Sequence, residues 1–537
     1  MTFSKSEGHR GGQEPALDDE DILAHLGYKQ HFQRKMNTWS VGAFCFSIMA
    51  ILGSFATTLN FPITNGGNVG VVWGWFTASC FATCVSFSLA ELCSSMPTVG
   101  GIYYWSAHLA PRRWSPLAAW VTGWANLVGQ VALICSICSA IADEIADAVT
   151  IASDFQVYYS SSALYGIMIA VLVADGMLSS CSTRITARLN YLYMAVNLGG
   201  VIALIIILAV LGPKNSASVA FSKFENNSEW ENKGLVWILS LTAAMWTLTG
   251  YDSAAHVAEE TSNAAHAGPI AMVSAVVGTA LTGFILSIVH SFVMQDPSRL
   301  LSAGLKIPAA QLYYDVMGKH GCLAMWSIII FVQFTSGAAQ TLDASRALYA
   351  FARDGAVPFS HRIATINSFT GTPVNATWTM VLFTAIVGLL ELQSTALTAL
   401  AGTSVIGLYV SYAVPIFLRI TSGRNKFRPG PWNLGRAAIP LGIISCLWVS
   451  FIVVVLLFPA NPNPDASLMN WAVLILGVIF SGAMLAWIVS ARHWFRGPIH
   501  EVEWNDKEDR QCDMDTARFD DEVNSKKPDV ELTDFVA

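Results

Sequence analysis

Charge is scarce in this sequence. Only 12% of its 537 residues are Asp, Glu, Lys or Arg, about half the share in soluble domains, which is roughly 25%. Hydrophobic residues make up 53%, and mean hydropathy is +0.49. There is no basic patch interleaved with aromatics of the kind a nucleic-acid surface needs. No nucleophile–base pair, metal cluster or phosphate-binding loop stands out, which argues against an enzyme, a resident metal or cofactor, and an ATP-driven pump. Residues 1–38 are polar and have no apolar core of a cleavable signal, so the first apolar run is expected to act as the targeting signal. Eight of the 10 cysteines fall in or beside apolar runs, where small thiols are usually buried. Cys135 and Cys138 form a CxxC with no second pair and no histidine at ligand spacing, so neither a zinc site nor a disulfide framework is expected.

Long apolar runs are what the chain has in abundance. About twenty apolar residues cross a bilayer as a helix. Twelve spans are expected, at 39–59, 69–93, 115–141, 162–180, 188–212, 235–258, 269–294, 322–350, 374–392, 395–418, 438–458 and 469–491. They are numbered 1 to 12 below. The acidic balance lies in a tail: residues 498–537 hold 13 acidic and 5 basic side chains, a net of −8 in a chain of −7. With both termini inside, the inner loops hold 12 Lys and Arg and the outer loops 6, the bias expected of an inside-positive topology. That orientation leaves the sequon Asn226-Asn227-Ser228 outside, where Asn226 is a glycosylation candidate.

Two spans are interrupted. Span 1 reads SIMAILGSFATTLNFP, with Gly53 and Ser54 near its middle, and span 6 reads MWTLTGYDSAAH, with Gly250 near its middle. These spans open two five-span halves, 1–5 and 6–10. Interruptions at corresponding places in two halves point to an inverted-repeat transporter, whose half-helix ends and freed carbonyls hold an ion or substrate. N-termini of half-helices attract a carboxylate and freed carbonyls a cation, so a zwitterion fits both. The alternative for each glycine taken singly is close helix packing.

The stretch LAELCSSMPTVGGIYYW (residues 89–105), the stretch TGYDSAAHVAEE in span 6, ASRALYAFARDGAVP (residues 344–358) at the end of span 8, and the Gly53-Ser54 pair together resemble the amino acid–polyamine–organocation superfamily. Within it the chain is most similar to the fungal branch of amino acid, GABA and choline permeases, over roughly residues 36–495. The resemblance implies an all-α integral membrane protein of twelve transmembrane helices: a five-plus-five inverted repeat of leucine-transporter type, with two extra helices. Repeat 1 would run over about 39–212, repeat 2 over about 235–418, and helices 11 and 12 over about 438–491. They would be flanked by cytoplasmic tails at 1–38 and 496–537. By the same resemblance, a substrate carboxylate rests on backbone amides at Gly53, Ser54 and Phe55, and an amino group on carbonyls from about Trp246 through Thr249 to Gly250. Phe55 stands where many relatives have a second glycine. Asn197 stands where some relatives have a coupling lysine, and asparagine does not titrate.

Side chains near these breaks have competing readings. Asp252 is either a substrate or proton site or a cap on the broken half-helix. His256 at i+4 shares its face and is either a proton relay or a packing histidine. Glu259 and Glu260 read as a gate or a solvated end, and Glu91 as a gate residue pairing with an inner arginine. Asn126 and Gln130, also i and i+4, line the usual wall of the site or bond between helices. Trp246 closes over a ligand or packs. Gln333, Thr335 and Gln340 put polar groups on span 8, and Asp343 and Arg346 are spaced to pair. Asp175 and His290 receive no role. Three functions follow: a secondary transporter for amino acids or GABA-like amino compounds, coupled to protons and working by alternating access; a choline or polyamine carrier, with Trp246, Tyr251 and Phe55 as the start of an aromatic cage; or a nutrient sensor of the same fold. The partners expected are a small amino-group-containing substrate, a proton and the lipid bilayer, with no nucleic acid. The location expected is the plasma membrane, with the vacuole or another internal membrane as the alternative.

Overall fold

A computed structural model describes residues 18–392, 396–459, 462 and 470–499. They fall in two compact units, residues 18–30 with Ile499 and residues 31–498. The first holds one short helix, Asp19–His25, whose opening N–H is capped by the Asp18 carboxylate at 2.8 Å.

The second unit is helical. Eleven elements are long and apolar enough to cross a membrane. They supply spans 1 to 5 as Thr38–Thr64, Gly67–Ser95, Ser115–Ala152, Ser161–Ser179 and Thr183–Leu211, and spans 7 to 9 as Ala264–Val293, Pro308–Arg353 and Val374–Leu392. Spans 10 to 12 are Ala396–Ile420, Gly435–Leu456 and Ala472–Trp494. The twelfth expected span, span 6, is broken into Lys233–Leu239, Thr242–Thr247 and Ser253–His256. Spans 1, 3 and 10 are the most enclosed, whereas span 12 is largely uncovered by protein. A membrane fold places its uncovered apolar faces against lipid, because nothing else can bury them.

Span 1 begins with a capping box: the Ser40 N–H donates to Asn37 Oδ1 at 2.9 Å and the Asn37 N–H donates to Ser40 Oγ at 2.8 Å. Such reciprocal bonds satisfy donors that a helix start leaves orphaned. Span 3 runs to Ala152, well past the expected end at 141. Its charged turn, Asp143, Glu144 and Asp147, is buried rather than solvated. Span 8 starts early because a preceding helix runs into it, and the element bends at Gly318 (φ 69°, ψ 179°). Two features escaped the periodicity: a helix Gly101–Leu109 after span 2, and an antiparallel pair of two-residue strands, Asn65-Gly66 with Glu225-Asn226.

Candidate substrate site and gates

Both expected interruptions exist, and one is displaced. Span 1 breaks at Ala50, which takes a left-handed conformation (φ 40°, ψ 55°), not at Gly53-Ser54. Gly53 lies inside the following helix, Ile51–Thr58, where a Cβ would come 2.3 Å from Gln333 Oε1. Gly53 therefore permits close approach to span 8, and Ala50 bears the backbone turn. Alanine carries the smallest side chain after glycine, so it meets the steric cost of this region with least hindrance. The break is held from two sides: the Leu52 N–H donates to Asn197 Oδ1 at 3.2 Å, and Ser336 Oγ donates to the Ile48 carbonyl at 2.6 Å. Asn197, at the position read as a coupling lysine in relatives, thus acts as a cap on the second half of span 1.

Span 6 breaks where expected. Leu248 leaves the helix and Gly250 sits at φ 83°, a region that favours glycine. A Cβ at Gly250 would also lie 2.6 Å from Ile48 Cγ2. The two breaks therefore meet back to back, with Ile48 against Gly250. Beside them is a small cavity of about 10 Å³, room for about one water, lined by Ile48, Ser54, Leu133, Ile137, Trp246, Thr247 and Thr249. The Trp246 indole N–H donates to Ser136 Oγ of span 3 at 3.1 Å, which fixes the ring as one wall. Thr249 Oγ1 donates to the Trp246 carbonyl at 2.6 Å. Gln333 is fully buried behind Gly53, and neither its amide nitrogen nor its amide oxygen has a hydrogen-bond partner among the described residues.

The aromatic rings of two residues assigned to the site face elsewhere. Phe55 packs on Trp75 and His290, with ring centroids at 5.4 and 4.8 Å, outside this cavity. Tyr251 packs on Tyr412 at 5.2 Å. Helical spacing explains Phe55: it follows Ser54 by about 100° of rotation, enough to carry it from the cavity wall to the flank facing spans 2 and 7.

Asn126 and Gln130 serve a buried charge cluster instead of the cavity. Asn126 Nδ2 donates to Asp252 Oδ2 at 3.1 Å, and Tyr412 Oη donates to Asp252 Oδ1 at 2.5 Å. Gln130 Nε2 donates to Asp343 Oδ2 at 2.8 Å, and Gln340 Nε2 in turn donates to Gln130 Oε1. His256 Nε2 lies 3.4 Å from Asp252 Oδ2, while its Nδ1 faces the Val99 carbonyl at 3.1 Å. The side-chain ligand atoms of Asp252, His256 and Asp343 all lie within 4.8 Å of one another. This set could bracket a small cation, but Asn126, Gln130 and Tyr412 aim hydrogens at the carboxylates, a collar suited to anions and protons rather than to a metal. The sequence spacing suggested that Asp343 pairs with Arg346. It does not: Arg346 Nε reaches Glu260 Oε1, in the turn after span 6, at 2.8 Å, which leaves Asp343 to this cluster.

The end of the bundle holding residues 34–36 is closed by ion pairs. Glu259 meets Arg353 at 3.2 Å, Glu260 meets Arg346 and also accepts from Thr183 Oγ1, and Glu91 lies 3.6 Å from Arg419. All three glutamates are buried, which removes the solvated-end reading of Glu259 and Glu260. The segment before span 1 is tied down over them: the Lys35 and Met36 N–H groups donate to the Glu260 carbonyl at 2.9 Å, and Arg34 Nη1 donates to the Thr261 carbonyl at 2.6 Å. At the opposite end Thr57 Oγ1 donates to Glu144 Oε1 at 2.9 Å, and both Asp147 oxygens accept backbone N–H groups, from Lys306 and Ile307, at 2.9 Å. Nothing in the sequence marked this second closure: span 3 was expected to end at 141, before these acids. Asp175 is fully buried and meets Cys138 Sγ at 3.7 Å; His290 bonds Tyr313 Oη at 2.8 Å.

This architecture has counterparts of known family. The family profile described as "Amino acid permease" matches residues 36–480. The amino-acid permease BAT1 of Arabidopsis thaliana is 34% identical over 507 residues, covering 91% of this chain and 98% of the relative. The GABA-specific permease of Saccharomyces cerevisiae is 32% identical over 502 residues, covering 91% and 87%. An uncharacterized amino-acid permease of Schizosaccharomyces pombe is 34% identical over 495 residues, covering 91% of each chain. These relatives are carriers rather than enzymes. With its broken spans 1 and 6 and its match over most of its length, the chain belongs to the amino acid permease family.

Proposed function

We propose that the protein is a proton-coupled secondary transporter of amino acids or GABA-like amino compounds that works by alternating access. The meeting of the two broken spans beside a cavity walled by Ser54, Trp246 and Thr249 carries this reading. Backbone groups freed at such breaks can bind the two charged ends of a zwitterion without a buried ionised side chain, which would be costly at this depth. Gly53, Ser54 and Gly250 belong to this site through backbone and close packing, Trp246 and Thr249 through their side chains. Asp252 and His256 belong to a coupling centre next to it, together with Asn126 and Gln130. Glu91, Glu259 and Glu260 form a gate on the face with the excess of basic loops, which is the cytoplasmic face by the inside-positive rule. Both tails then lie in the cytoplasm. Transport requires those pairs to open while the Glu144 and Asp147 contacts hold, and the reverse.

A choline or polyamine carrier would need aromatic faces gathered around a cation. Trp246 is the one aromatic residue lining the cavity, and Phe55 and Tyr251 face other walls. That weighs toward the zwitterion. The test is uptake of labelled GABA, a panel of amino acids, choline and spermidine in cells without their own carriers, at pH 5 and pH 7.5. Saturable uptake of GABA or an amino acid, several-fold faster at the acid pH, is the expected result. Uptake of choline or spermidine alone would overturn the reading. Fluorescent fusion of the same chain is expected to mark the plasma membrane.

The proposed orientation puts Asn226 outside. It is exposed on the strand Glu225-Asn226, and its sequon partner Ser228 bonds it at 2.7 Å. An N-glycosidase is expected to shift the wild-type band and not the Asn226→Gln band. A wild-type band that does not move in a glycosylating host would remove Asn226 as an acceptor.

A further inference from the structure

We propose that Asp343 is the group that carries the coupling proton, with Asp252 as a standing anion and His256 as its counter-cation. This rests on the reading of the chain as a proton-coupled carrier and specifies where the proton sits. The argument starts from a charge count of the buried side chains between the cavity and the gate. Glu259 is matched by Arg353 and Glu260 by Arg346, at 3.2 and 2.8 Å. Beside the cavity, the described residues leave a cluster of two acids, Asp252 and Asp343, and one base, His256, all buried and with their ligand atoms within 4.8 Å of one another. Even with the imidazole charged, the three sum to −1. A net charge buried away from water is strongly disfavoured, so the set balances when one more proton is present.

The hydrogen bonds decide which carboxyl takes it. Asp252 receives hydrogens from Asn126 at 3.1 Å and Tyr412 at 2.5 Å and lies 3.4 Å from His256 Nε2. A carboxylate with that many donors is stabilised as the anion. His256 Nδ1 faces the Val99 carbonyl, an acceptor only, so it carries a hydrogen. Its Nε2 faces carboxyl groups. Nε2 makes no hydrogen bond among the described residues but lies 3.4 Å from Asp252 Oδ2, and an opposite charge that close favours the imidazolium. Asp343 is fully buried and has a single donor, Gln130 Nε2 on Oδ2, while its Oδ1 has no hydrogen-bond partner among the described residues. That oxygen is the one left to hold a proton. Uptake is the transfer of a proton from a hydronium ion to Asp343 Oδ1, forming one O–H bond and releasing water; on the other side the bond breaks back to water.

The other titratable or charged groups facing Asp343 are Cys45 from span 1, Arg346 one turn along span 8, and, through Asp252, Tyr412 of span 10 and Tyr251 of span 6. Arg346 matters most. It is the only cation on Asp343's own helix turn, and it already holds Glu260 of the gate. When Asp343 gives up its proton, the new anion competes with Glu260 for Arg346, which links proton release to loosening of the gate.

The test uses the full chain in proteoliposomes with labelled GABA and alanine as probes. In Asp343→Asn, accumulation driven by an inward proton gradient should fall at least tenfold and its acid stimulation flatten, while substrate counterflow falls far less. Asp252→Asn should lower both, because it leaves His256 unmatched. Asp343→Glu should restore part of the gradient-driven accumulation. The proposal is overturned if Asp343→Asn still accumulates substrate with the wild-type acid dependence. It is equally overturned if both Asp343 variants lose counterflow and accumulation alike, which marks a structural role. A wild type that transports neither probe under any gradient sinks the functional reading itself, and this one with it.

Discussion

Replacing Gly250 by leucine is expected to abolish uptake, by at least a hundredfold, while the protein still reaches its membrane. Two independent costs fall on the same atom. Gly250 has φ 83°, where an L-residue costs about 1–2 kcal/mol. A Cβ there would stand 2.6 Å from Ile48 Cγ2, well inside van der Waals contact. Ile48 is the last turn of the first half of span 1, and its carbonyl is held by Ser336 at 2.6 Å. Any outward push therefore moves the two breaks apart and deforms the cavity between them. The steric part can be separated from the conformational part. Gly250→Ala should also transport poorly, and adding Ile48→Ala should recover part of the loss by clearing the contact. Uptake, surface localisation and size-exclusion behaviour would be measured together. Normal uptake by Gly250→Leu would remove the span 6 break from the transport path.

The second large effect is expected at Arg346. Its side chain is wholly buried and its Nε meets Glu260 Oε1 at 2.8 Å. Arg346→Ala leaves Glu260 as a buried carboxylate with Thr183 as its remaining hydrogen-bond donor among the described residues, and breaking such a pair from one side costs about 3–5 kcal/mol. The variant should be markedly less stable to heat in detergent and should transport at a small fraction of the wild-type rate. Removing both charges is a different experiment. Arg346→Met with Glu260→Leu takes away the unmatched charge as well as the attraction, and such double replacements by apolar residues are often neutral. The double variant is therefore expected to regain stability without regaining coupled transport, since the gate no longer has a pair to open. Thermal unfolding followed by tryptophan fluorescence checks the first half, and gradient-driven uptake the second. A double variant as unstable as the single one would mean that Arg346 acts by packing rather than by charge.

The spans were legible because a bilayer demands long apolar runs, and eleven of the twelve appear as long helices with span 6 as the broken one. Gly250 was legible because a positive φ leaves few alternatives to glycine. The break in span 1 was not, since Ala50 looks like any other residue of an apolar helix, and the nearby Gly53 offered a better-known signal for a different job. The capping role of Asn197 was not legible, because its partner, the Leu52 N–H, lies 145 positions away in the chain. Asp343 was misassigned for a related reason. Spacing within one helix finds neighbours three and four residues apart, yet Arg346 found a better partner, Glu260, in the turn after span 6.

Hydropathy thus determined the class of protein and where its long apolar helices lie, because these depend on local composition alone. The tertiary structure decided which buried acid is matched by a base, where the backbone of span 1 opens, and which aromatic rings reach the cavity. Those outcomes depend on which face of each helix meets which neighbour. A chain that is apolar on nearly every face carries little information about that choice until the helices are packed.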